Sequence, residues 1–581
     1  MIDTARAAAL KSGVISAALA ALITMGIMAS GPAAAQSSAA FKSALMAELG
    51  MRADGNHNPV KSDAKGAKSE AGETLILRDL YGKLDFQAIW FSDKGATARA
   101  KIFIDRLSRA NEHGLNPEHY LHARLAEGVG NFDPAKRAEL EIMMSRAFAR
   151  YAADINAGRI GPNRAIPNLY VPPVRPDPER LLVAAAKSTQ FDKYVDGLPP
   201  QTPQYARLVK ALAVYRAIEA RGGWKSVPAG PTLKPGMTDP RIAKVHERLV
   251  ASGDLKAVGA TPNQYDKLLV TAVKRFQFRH GLNEDGNIGK GTVAAMNIPI
   301  AVKIRQQVLN LERRRWMPPD LGDQYIFVNI ADQHLKWVTR AHSPKPKTIH
   351  VARVAVGKRY HQTPVFSGVM SFVRINPHWN VPQSIARKEM LPKLKLDPGY
   401  LTRNHYLLLS RPIDNDSAVD PHSVDWPSMS RSNFPYFIRQ TPGPWNALGT
   451  IIFMFPNPHN IFIHDTASRT LFARENRYFS HGCIRLQFPK KFGELVMAPN
   501  PGWDLKKINE TVKTREELQV GLKRRLPVHV TYLTAWSNKD GTHHFRPDIY
   551  KRDVTLDKVL TSAIQAAKRS ITQAAGPGKS G

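Results

Sequence analysis

The chain has 581 residues and a formal net charge of +33, from 82 Lys and Arg against 49 Asp and Glu. This length exceeds one ordinary hydrophobic core, so three or four folding units are expected. The basic residues are spread along the whole sequence without zinc-finger spacing, an aromatic RNA-binding motif or a basic-region helix, which argues against a nucleic-acid binder. A solvated basic surface, suited to an anionic polymer or a membrane face, is the preferred explanation.

The N-terminus has the organisation of a secretory signal peptide covering residues 1–35. Arg6 and Lys11 precede the apolar run 14–29, and small residues follow up to an expected cleavage site after Ala35. The apolar run contains several Ala, Ser and Gly and is only weakly hydrophobic. Cleavage is therefore favoured, and an uncleaved membrane anchor is the alternative.

The next part of the chain changes from polar to helical character. Residues 36–74 are predicted to be a flexible linker, because 52–74 has almost no large apolar residues; a short helix over 36–50 is the alternative there. From residue 75 to 225, apolar residues recur mostly at helical spacing, which predicts a helical domain. A compact three-helix unit is predicted over 232–300, with two amphipathic helices ending at glycines and a short third helix.

The hydrophobic period changes to two after about residue 323. Short β-rich runs such as YIFVNI and NIFIHD, separated by turns, predict a mostly β, sandwich-like domain over 323–540, with a barrel as the alternative. The fold class is therefore multidomain α+β. A helix-like and proline-rich excursion over 383–440 interrupts the domain, and insertions of this length often form lids. The tail 565–581 is predicted to be disordered.

Cys483 is the only cysteine of the chain, and it ends the sequence Ser-His-Gly-Cys. A thiol is a useful nucleophile only as the thiolate, so a neighbouring base is needed. His464, at the end of a predicted strand, and His481 are the candidate bases. Gly482 allows a tight turn and leaves backbone N–H groups near the thiol that could receive an oxyanion. The alternative is an inert, packed cysteine beside unrelated histidines.

The stretch HDTASRTLFARENRYFSHGCIRL (464–486) resembles the signature of the YkuD-type L,D-transpeptidases, a His followed after about 15 residues by Ser-His-Gly-Cys. RQTPGPWNALG (439–449) and FPN (455–457) are similar to stretches of the large YcbB-like subgroup. In this subgroup a helical scaffold domain and a peptidoglycan-binding module accompany the catalytic domain, and 75–225 and 232–300 resemble them. Ala467 departs from the Pro that commonly follows His-Asp-Thr, which puts the local turn shape in doubt.

The resemblance implies a reaction and assigns roles in it. Cys483 attacks the carbonyl that joins the third residue of a peptidoglycan stem tetrapeptide to the terminal D-alanine, and an amine of a neighbouring stem resolves the thioester into a 3→3 cross-link. His464 is implied as the base, and the carbonyl of Asp465 as the group that orients it. The N–H groups of Gly482 and Cys483 are implied as oxyanion donors, and His481 as support for the site.

The resemblance also implies a set of substrate-binding residues. Arg485 is expected to hold a stem-peptide carboxylate or to fix the active-site loop, with a surface cation as the alternative. Arg439, Asn446 and Gly449 are expected to shape the donor site, with turn formation as the alternative. Trp379 and Trp445 are predicted to be packing residues. The full set of expected binding residues is Ser480, Arg439, Asn446, Gly449 and Arg485.

No metal site and no cofactor are predicted. His459, His464, His481 and Cys483 lie close in sequence but lack zinc-ligand spacing, and the sequence has no nucleotide-binding glycine loop. The resemblance implies peptidoglycan stem peptides as donor and acceptor, carbapenem-type β-lactams as covalent inhibitors, and the periplasm of a Gram-negative cell as the location. Alternative acceptors are an outer-membrane protein and a free D-amino acid. Alternative functions are L,D-carboxypeptidase or wall-tethering transferase at the same site, or a non-catalytic peptidoglycan-binding scaffold.

Overall fold

A computed structural model describes residues 38–51, 67–130, 133–172, 175–259, 261–343 and 345–574. The predicted signal peptide, residues 1–35, lies outside the described residues. Among the residues that are described, we find no helix with the length and apolar character needed to cross a membrane. The chain forms two compact units. The first contains the described residues up to 111 with 116–153 and 176–198, and the second contains 112–115, 154–175 and the described residues from 199 onward.

The helices occur mainly in the N-terminal half, in the inserted segment and near the C-terminus. Those before the large sheet are α1 (Ala39–Glu48), α2 (Ala67–Lys83), α3 (Ala98–Ser108), α4 (His122–Glu127), α5 (Pro134–Ala157), α6 (Pro162–Ala165), α7 (Pro178–Lys187), α8 (Phe191–Asp196), α9 (Pro203–Ala220), α10 (Arg241–Ala251), α11 (Lys267–His280), α12 (Lys290–Met296) and α13 (Ile300–Arg315). Those after it begins are α14 (Gln383–Ile385), α15 (Leu391–Leu394), α16 (Tyr400–Arg403), α17 (Pro489–Met497), α18 (Leu505–Thr514) and α19 (Arg552–Ala574).

The strands form two small hairpins, a four-stranded sheet and one large sheet. In chain order they are β1 (Phe91–Ser92), β2 (Gly95–Ala96), β3 (Leu169–Tyr170), β4 (Tyr325–Asn329), β5 (His334–Thr339), β6 (Lys347–Gly357), β7 (Val365–Ile375), β8 (Trp379–Asn380), β9 (Tyr406–Leu409), β10 (Ala418–Val419), β11 (Phe437–Gln440), β12 (Ile451–Met454), β13 (Ile463–His464), β14 (Tyr478–Ser480), β15 (Ile484–Leu486), β16 (Leu518–Thr531), β17 (Ala535–Ser537) and β18 (His543–Phe545). The mostly β character predicted for the C-terminal domain is confirmed.

The first unit is organised around the buried carboxylate of Glu141 on α5. This carboxylate accepts hydrogen bonds from the backbone N–H groups of Ile89 and Phe91, at 2.6 and 3.0 Å, and from the Tyr81 hydroxyl at 2.7 Å. Burial raises the pKa of Glu141 to about 7, although these hydrogen bonds act to lower it. Because a buried charge is tolerated only where hydrogen bonds compensate its lost hydration, Glu141 fixes α2, β1 and α5 together.

Both described ends of the predicted linker over 36–74 are helical, so the linker is wrong there and the alternative of a short helix over 36–50 is confirmed. Helix α1 begins after Ser38, whose side chain accepts a hydrogen bond from the Phe41 N–H, and it buries Phe41 and Leu45. Helix α2 begins at Ala67 and continues into a face that buries Leu77 and Leu80. Local composition predicted a linker, but burial of these few apolar side chains stabilises the helices.

The three-helix module in the second unit follows its sequence pattern closely. Helices α10, α11 and α12 enclose one apolar core, and Gly281 ends α11 in the left-handed region at φ +71°. Asp266 caps α11 by accepting a hydrogen bond from the Leu269 N–H at 2.7 Å. The apolar faces predicted from the sequence are buried as expected: Ile242, Val245, Leu249, Leu269, Val273 and Phe276.

The large sheet closes on itself. Its strands follow the order β12-β13-β15-β6-β5-β4-β16-β7, and β7 pairs again with β12. A sheet closed in this way is a barrel, the alternative to the sandwich-like arrangement predicted from the sequence. The interior is apolar, with Val328, Val354, Val373 and Val528 almost fully buried. Since alternate residues of each strand face this core, the remaining positions face outward, and these positions carry the candidate site.

The inserted segment has its own sheet and its own core. Strands β8 to β11 form a four-stranded sheet in the order β10-β9-β11-β8, and α14 to α16 pack beside it. Leu394, Leu408, Trp426 and Ile438 are nearly fully buried there. The prediction that 383–440 is an insertion therefore matches an independently packed layer. Between α14 and α15 the backbone makes a π-helical turn over Ala386–Met390, a feature often found at functional sites.

The C-terminal end departs from the sequence prediction. Helix α19 continues to Ala574, so the prediction of a disordered tail from residue 565 is wrong as far as 574. Leu556 and Leu560 on α19 are fully buried against the large sheet. The Asp548 carboxylate accepts hydrogen bonds from N–H groups at the helix start, including that of Asp553 at 2.8 Å. Residues 575–581 lie outside the described residues.

Candidate active site

Two adjacent parallel strands bring Cys483 and His464 to one face of the large sheet. In the pairing of β13 with β15, Ile463 lies opposite Ile484 and His464 lies opposite Arg485. The Ile484 N–H donates to the Phe462 carbonyl at 3.0 Å, which continues the register to Cys483. Because Ile463 and Ile484 face the core, Cys483 and His464 share the opposite face and are diagonal neighbours across the two strands.

The turn before the cysteine is held by side-chain hydrogen bonds. Ser480 Oγ donates to the Cys483 carbonyl at 2.5 Å and accepts from the Gly482 N–H at 3.1 Å. Thr363 Oγ1 donates to the Gly482 carbonyl at 2.7 Å. Gly482 has φ +129°, where a side chain would be strained. The turn thus depends on glycine at this position and on Ser480, which acts by positioning Cys483.

These hydrogen bonds leave only one of the two expected oxyanion donors, the N–H groups of Gly482 and Cys483, without a partner among the described residues. The Gly482 N–H, expected to face an oxyanion, is used by Ser480. The Cys483 N–H makes no hydrogen bond to any of the residues that the structure describes. Of the two donors implied by the sequence, the Cys483 N–H is therefore the one available to a developing negative charge.

His464 is almost fully buried, with 3% of its surface exposed. Burial and the neighbouring Arg485 charge lower the pKa of His464 to about 3, whereas the backbone carbonyls of Asp465 and Leu448 act to raise it. Within the described part of the chain, neither carbonyl makes a well-aligned hydrogen bond to the buried Nδ1. The Asp465 carbonyl thus acts on the pKa of His464, but it does not fix the orientation of the imidazole through a strong hydrogen bond.

The Asp465 side chain anchors the loop that covers His464. Its Oδ2 accepts hydrogen bonds from both the N–H and the hydroxyl of Thr450, each at 2.9 Å, and its Oδ1 accepts one from the Thr466 N–H at 2.7 Å. Gly449 has φ +66°, and a Cβ there would lie 2.6 Å from Asp465 Oδ2. Close approach to Asp465 therefore explains why this position carries glycine.

The Cys483 thiol lies in surroundings that disfavour its charged form. Its Sγ donates to the Asn460 carbonyl at 3.6 Å, and the side chain is only partly exposed. Burial raises the pKa of the Cys483 thiol to about 11, while the Phe462 backbone and Arg485 act to lower it. Burial disfavours charge on both groups and therefore favours a neutral cysteine and a neutral His464 over a thiolate–imidazolium pair.

Only some of the expected substrate-binding residues lie next to Cys483 and His464. Arg485 lies opposite His464, and its buried Nε has no hydrogen-bond partner among the described residues. Arg439 belongs to the inserted sheet, where it donates to the Ile413 carbonyl at 2.8 Å. Asn446 is fully buried and stabilises a turn by accepting from the Leu448 N–H at 2.8 Å. The structure thus favours the turn role for Asn446 and leaves Arg485 as the cation beside the pair.

The two tryptophans pack as predicted. Trp445 stacks on His405 with ring centroids 3.6 Å apart, and Trp379 lies 6.2 Å from the Tyr406 ring. These contacts belong to the inserted layer and its junction with the large sheet. Aromatic stacking of this kind contributes packing energy and needs no ligand.

His481 makes a contact that the sequence did not predict. Its Nε2 lies 2.6 Å from Glu389 Oε1 in the π-helical turn of the insertion, and its ring lies 4.7 Å from that of His361. Both new partners are distant from His481 in sequence. The π-helical turn is visible only in the structure, so no sequence signal identified Glu389.

Family models match three parts of the chain. Residues 323–515 match the model described as the L,D-transpeptidase catalytic domain, residues 76–212 match a scaffold domain, and residues 238–296 match a putative peptidoglycan binding domain. Over residues 323–515 the chain is thus similar to the L,D-transpeptidase catalytic domain of the YkuD family. The resemblance drawn from the Ser-His-Gly-Cys motif is thereby confirmed.

Matches to individual proteins have low sequence identity or cover only part of the chain. A putative L,D-transpeptidase of Haemophilus influenzae is 34% identical over 245 residues, which cover 42% of this chain and 47% of that protein. The chain thus matches about half the length of this curated relative. Solved L,D-transpeptidases of Xylanimonas cellulosilytica and Stackebrandtia nassauensis are 13% and 14% identical and have TM-scores of 0.16 and 0.20. Each match covers 52% of this chain, with 98% and 97% of the solved chains, and carries no functional argument here.

Proposed function

We propose that the protein is an exported cysteine L,D-transpeptidase that forms 3→3 cross-links in peptidoglycan. One observation carries the proposal: the strand register places Cys483 and His464 on the same outward face of two adjacent strands. The matched catalytic domain and the putative peptidoglycan-binding domain support the same substrate class. Export rests on the N-terminal sequence, as described above.

Acylation begins from the neutral pair. As Cys483 Sγ bonds to the carbonyl carbon of the donor tetrapeptide, its proton passes to His464. The charge that develops on the carbonyl oxygen is received by the Cys483 N–H. The carbon–nitrogen bond to D-alanine then breaks, and His464 returns the proton to the leaving amine. A thioester and free D-alanine remain.

Resolution of the thioester reverses the proton path. An amine of a neighbouring stem attacks the thioester carbon and gives its proton to His464. The carbon–sulfur bond breaks, and Cys483 regains a proton as the new amide forms. Attack by water on the same carbon would give an L,D-carboxypeptidase, and attack by a protein amine would give a wall-tethering transferase.

Electrostatics determine when the ion pair forms. With the pKa of the thiol raised to about 11 and that of His464 lowered to about 3, proton transfer before substrate binding is unfavourable. Transfer therefore accompanies attack, when negative charge moves from sulfur toward the carbonyl oxygen. Arg485, which lies beside the pair and acts to lower the thiol pKa, favours this redistribution.

Product analysis tests the proposed reaction. Purified protein lacking residues 1–35 is incubated with a disaccharide-tetrapeptide, and the products are separated and weighed by mass spectrometry. We expect a 3→3 linked dimer together with released D-alanine. Tripeptide monomer with D-alanine and no dimer would instead identify a carboxypeptidase. Formation of neither product by folded protein would contradict a catalytic role and favour a wall-binding scaffold.

A further inference from the structure

Three side chains from separate segments converge beside the catalytic turn. His361 lies in the loop between β6 and β7, Glu389 lies in the π-helical turn of the insertion, and His481 directly precedes Gly482. One ring nitrogen from each histidine and one carboxylate oxygen of Glu389 all lie within 4.8 Å of one another. We propose that these three residues bind a divalent transition-metal ion, with Zn²⁺ as the best match.

The donor set and the spacing fit this ion. Two imidazole nitrogens and one carboxylate oxygen form a three-ligand set that leaves a further position for water or substrate. Metal–ligand bonds of about 2.0–2.2 Å in tetrahedral geometry place ligand atoms roughly 3.4 Å apart. The 2.6 Å contact of His481 with Glu389 therefore has to open slightly, and the widest separation between ligand atoms has to close by at most about 1.4 Å.

The side chains are free to make this adjustment. The side chains of Glu389 and His481 keep 47% and 29% of their surface exposed, so small rotations meet little resistance. Lys358 and Lys388 lie near enough to act on the pKa of His361, and their charges oppose a dication. We therefore expect weaker binding than at a closed four-ligand structural zinc site.

The position of the cluster gives metal binding a structural consequence. Glu389 belongs to the independently packed insertion, whereas His481 belongs to the turn that carries Cys483. An ion bound by both would hold the insertion against the catalytic turn. This inference goes beyond the proposed reaction, because it concerns an ion that the acyl-transfer chemistry does not use.

Zn²⁺ titration in a Cys483→Ser background tests the site without the thiol as a competing ligand. The chelator-treated protein is titrated with Zn²⁺ alone by calorimetry. We expect saturable binding of one ion, weakened at least about tenfold by His361→Ala and by Glu389→Gln. His422→Ala, an exposed histidine elsewhere in the insertion, is the matched control and should bind as the parent does.

A second readout tests whether the ion holds the insertion against the catalytic turn. Trypsin digestion of the insertion should slow when Zn²⁺ is added to the Cys483→Ser protein, and Glu389→Gln should abolish this protection. Absence of saturable binding in the Cys483→Ser protein would overturn the proposal. Zn²⁺ affinities of His361→Ala and Glu389→Gln equal to that of the Cys483→Ser parent would overturn it as well. Because the protein used is catalytically inactive, neither result depends on the proposed transpeptidase activity.

Discussion

Replacing Gly449 by alanine tests how the loop over His464 is held. The backbone at Gly449 has φ +66°, which costs an L-residue about 1–2 kcal/mol. The new Cβ would also collide with the Asp465 side chain, whose carboxylate is fixed by Thr450 and Thr466. Overpacking of this kind costs about 1–3 kcal/mol more. The stability of the catalytic domain should therefore fall by roughly 2–5 kcal/mol.

Gly541→Ala is the matched control for the cost of placing an alanine in a left-handed backbone conformation. Gly541 has φ +79°, and a Cβ there meets nothing within 4 Å. Thermal unfolding should show Gly449→Ala as the less stable variant by about 1–3 kcal/mol, or roughly 2–12 °C in Tm.

Displacement of Asp465 should also move the adjacent His464 and slow acylation of Cys483 by about 10- to 100-fold, since misplacements of about 1 Å cost this much. Gly541→Ala should acylate as the wild type does. Equal Tm losses in the two variants, or unchanged acylation in a folded Gly449→Ala protein, would refute the packing argument.

Three further outcomes follow from the site. Because the pKa of His464 is lowered to about 3, the base stays neutral as pH falls, so kcat/KM in buffers containing EDTA should stay flat down to about pH 5; an acid limb near the ordinary histidine value of 6.5 would contradict this. His464→Ala should slow acylation by several orders of magnitude and His481→Ala by less, and the reverse ranking in single-turnover assays would move the base to His481. A carbapenem should add one adduct mass to the wild type and none to Cys483→Ala. Residues 383–440 should then resist proteolysis, and an adduct without this protection would exclude a closing lid.

Local sequence patterns predicted the elements whose burial depends on near neighbours. The apolar positions of the three-helix module follow helical spacing, so its core was predictable from residues such as Ile242 and Phe276. Alternation along β13 likewise places Ile463 and His464 on opposite faces of the strand, as its register with β15 shows. In both cases the periodicity of a single element determines which face is buried.

Features that depend on distant contacts could not be predicted this way. Glu389 meets His481 across 92 positions of sequence, and no local pattern links them. The use of the Gly482 N–H by Ser480 depends on the three-dimensional course of the turn. Helix α19 is stabilised by burial of Leu556 and Leu560 against the large sheet. The composition of the tail had predicted disorder instead.

Mass analysis of the trapped acyl-enzyme tests the central role of Cys483 most directly. The wild-type protein is mixed with a disaccharide-tetrapeptide, quenched in acid within one turnover, and examined as the intact protein and as peptides. The account predicts a mass gain equal to the disaccharide-tripeptide less one water, attached to Cys483 as a thioester and absent from Cys483→Ala. Attachment to another residue, or dimer formation by Cys483→Ala at the wild-type rate, would contradict it.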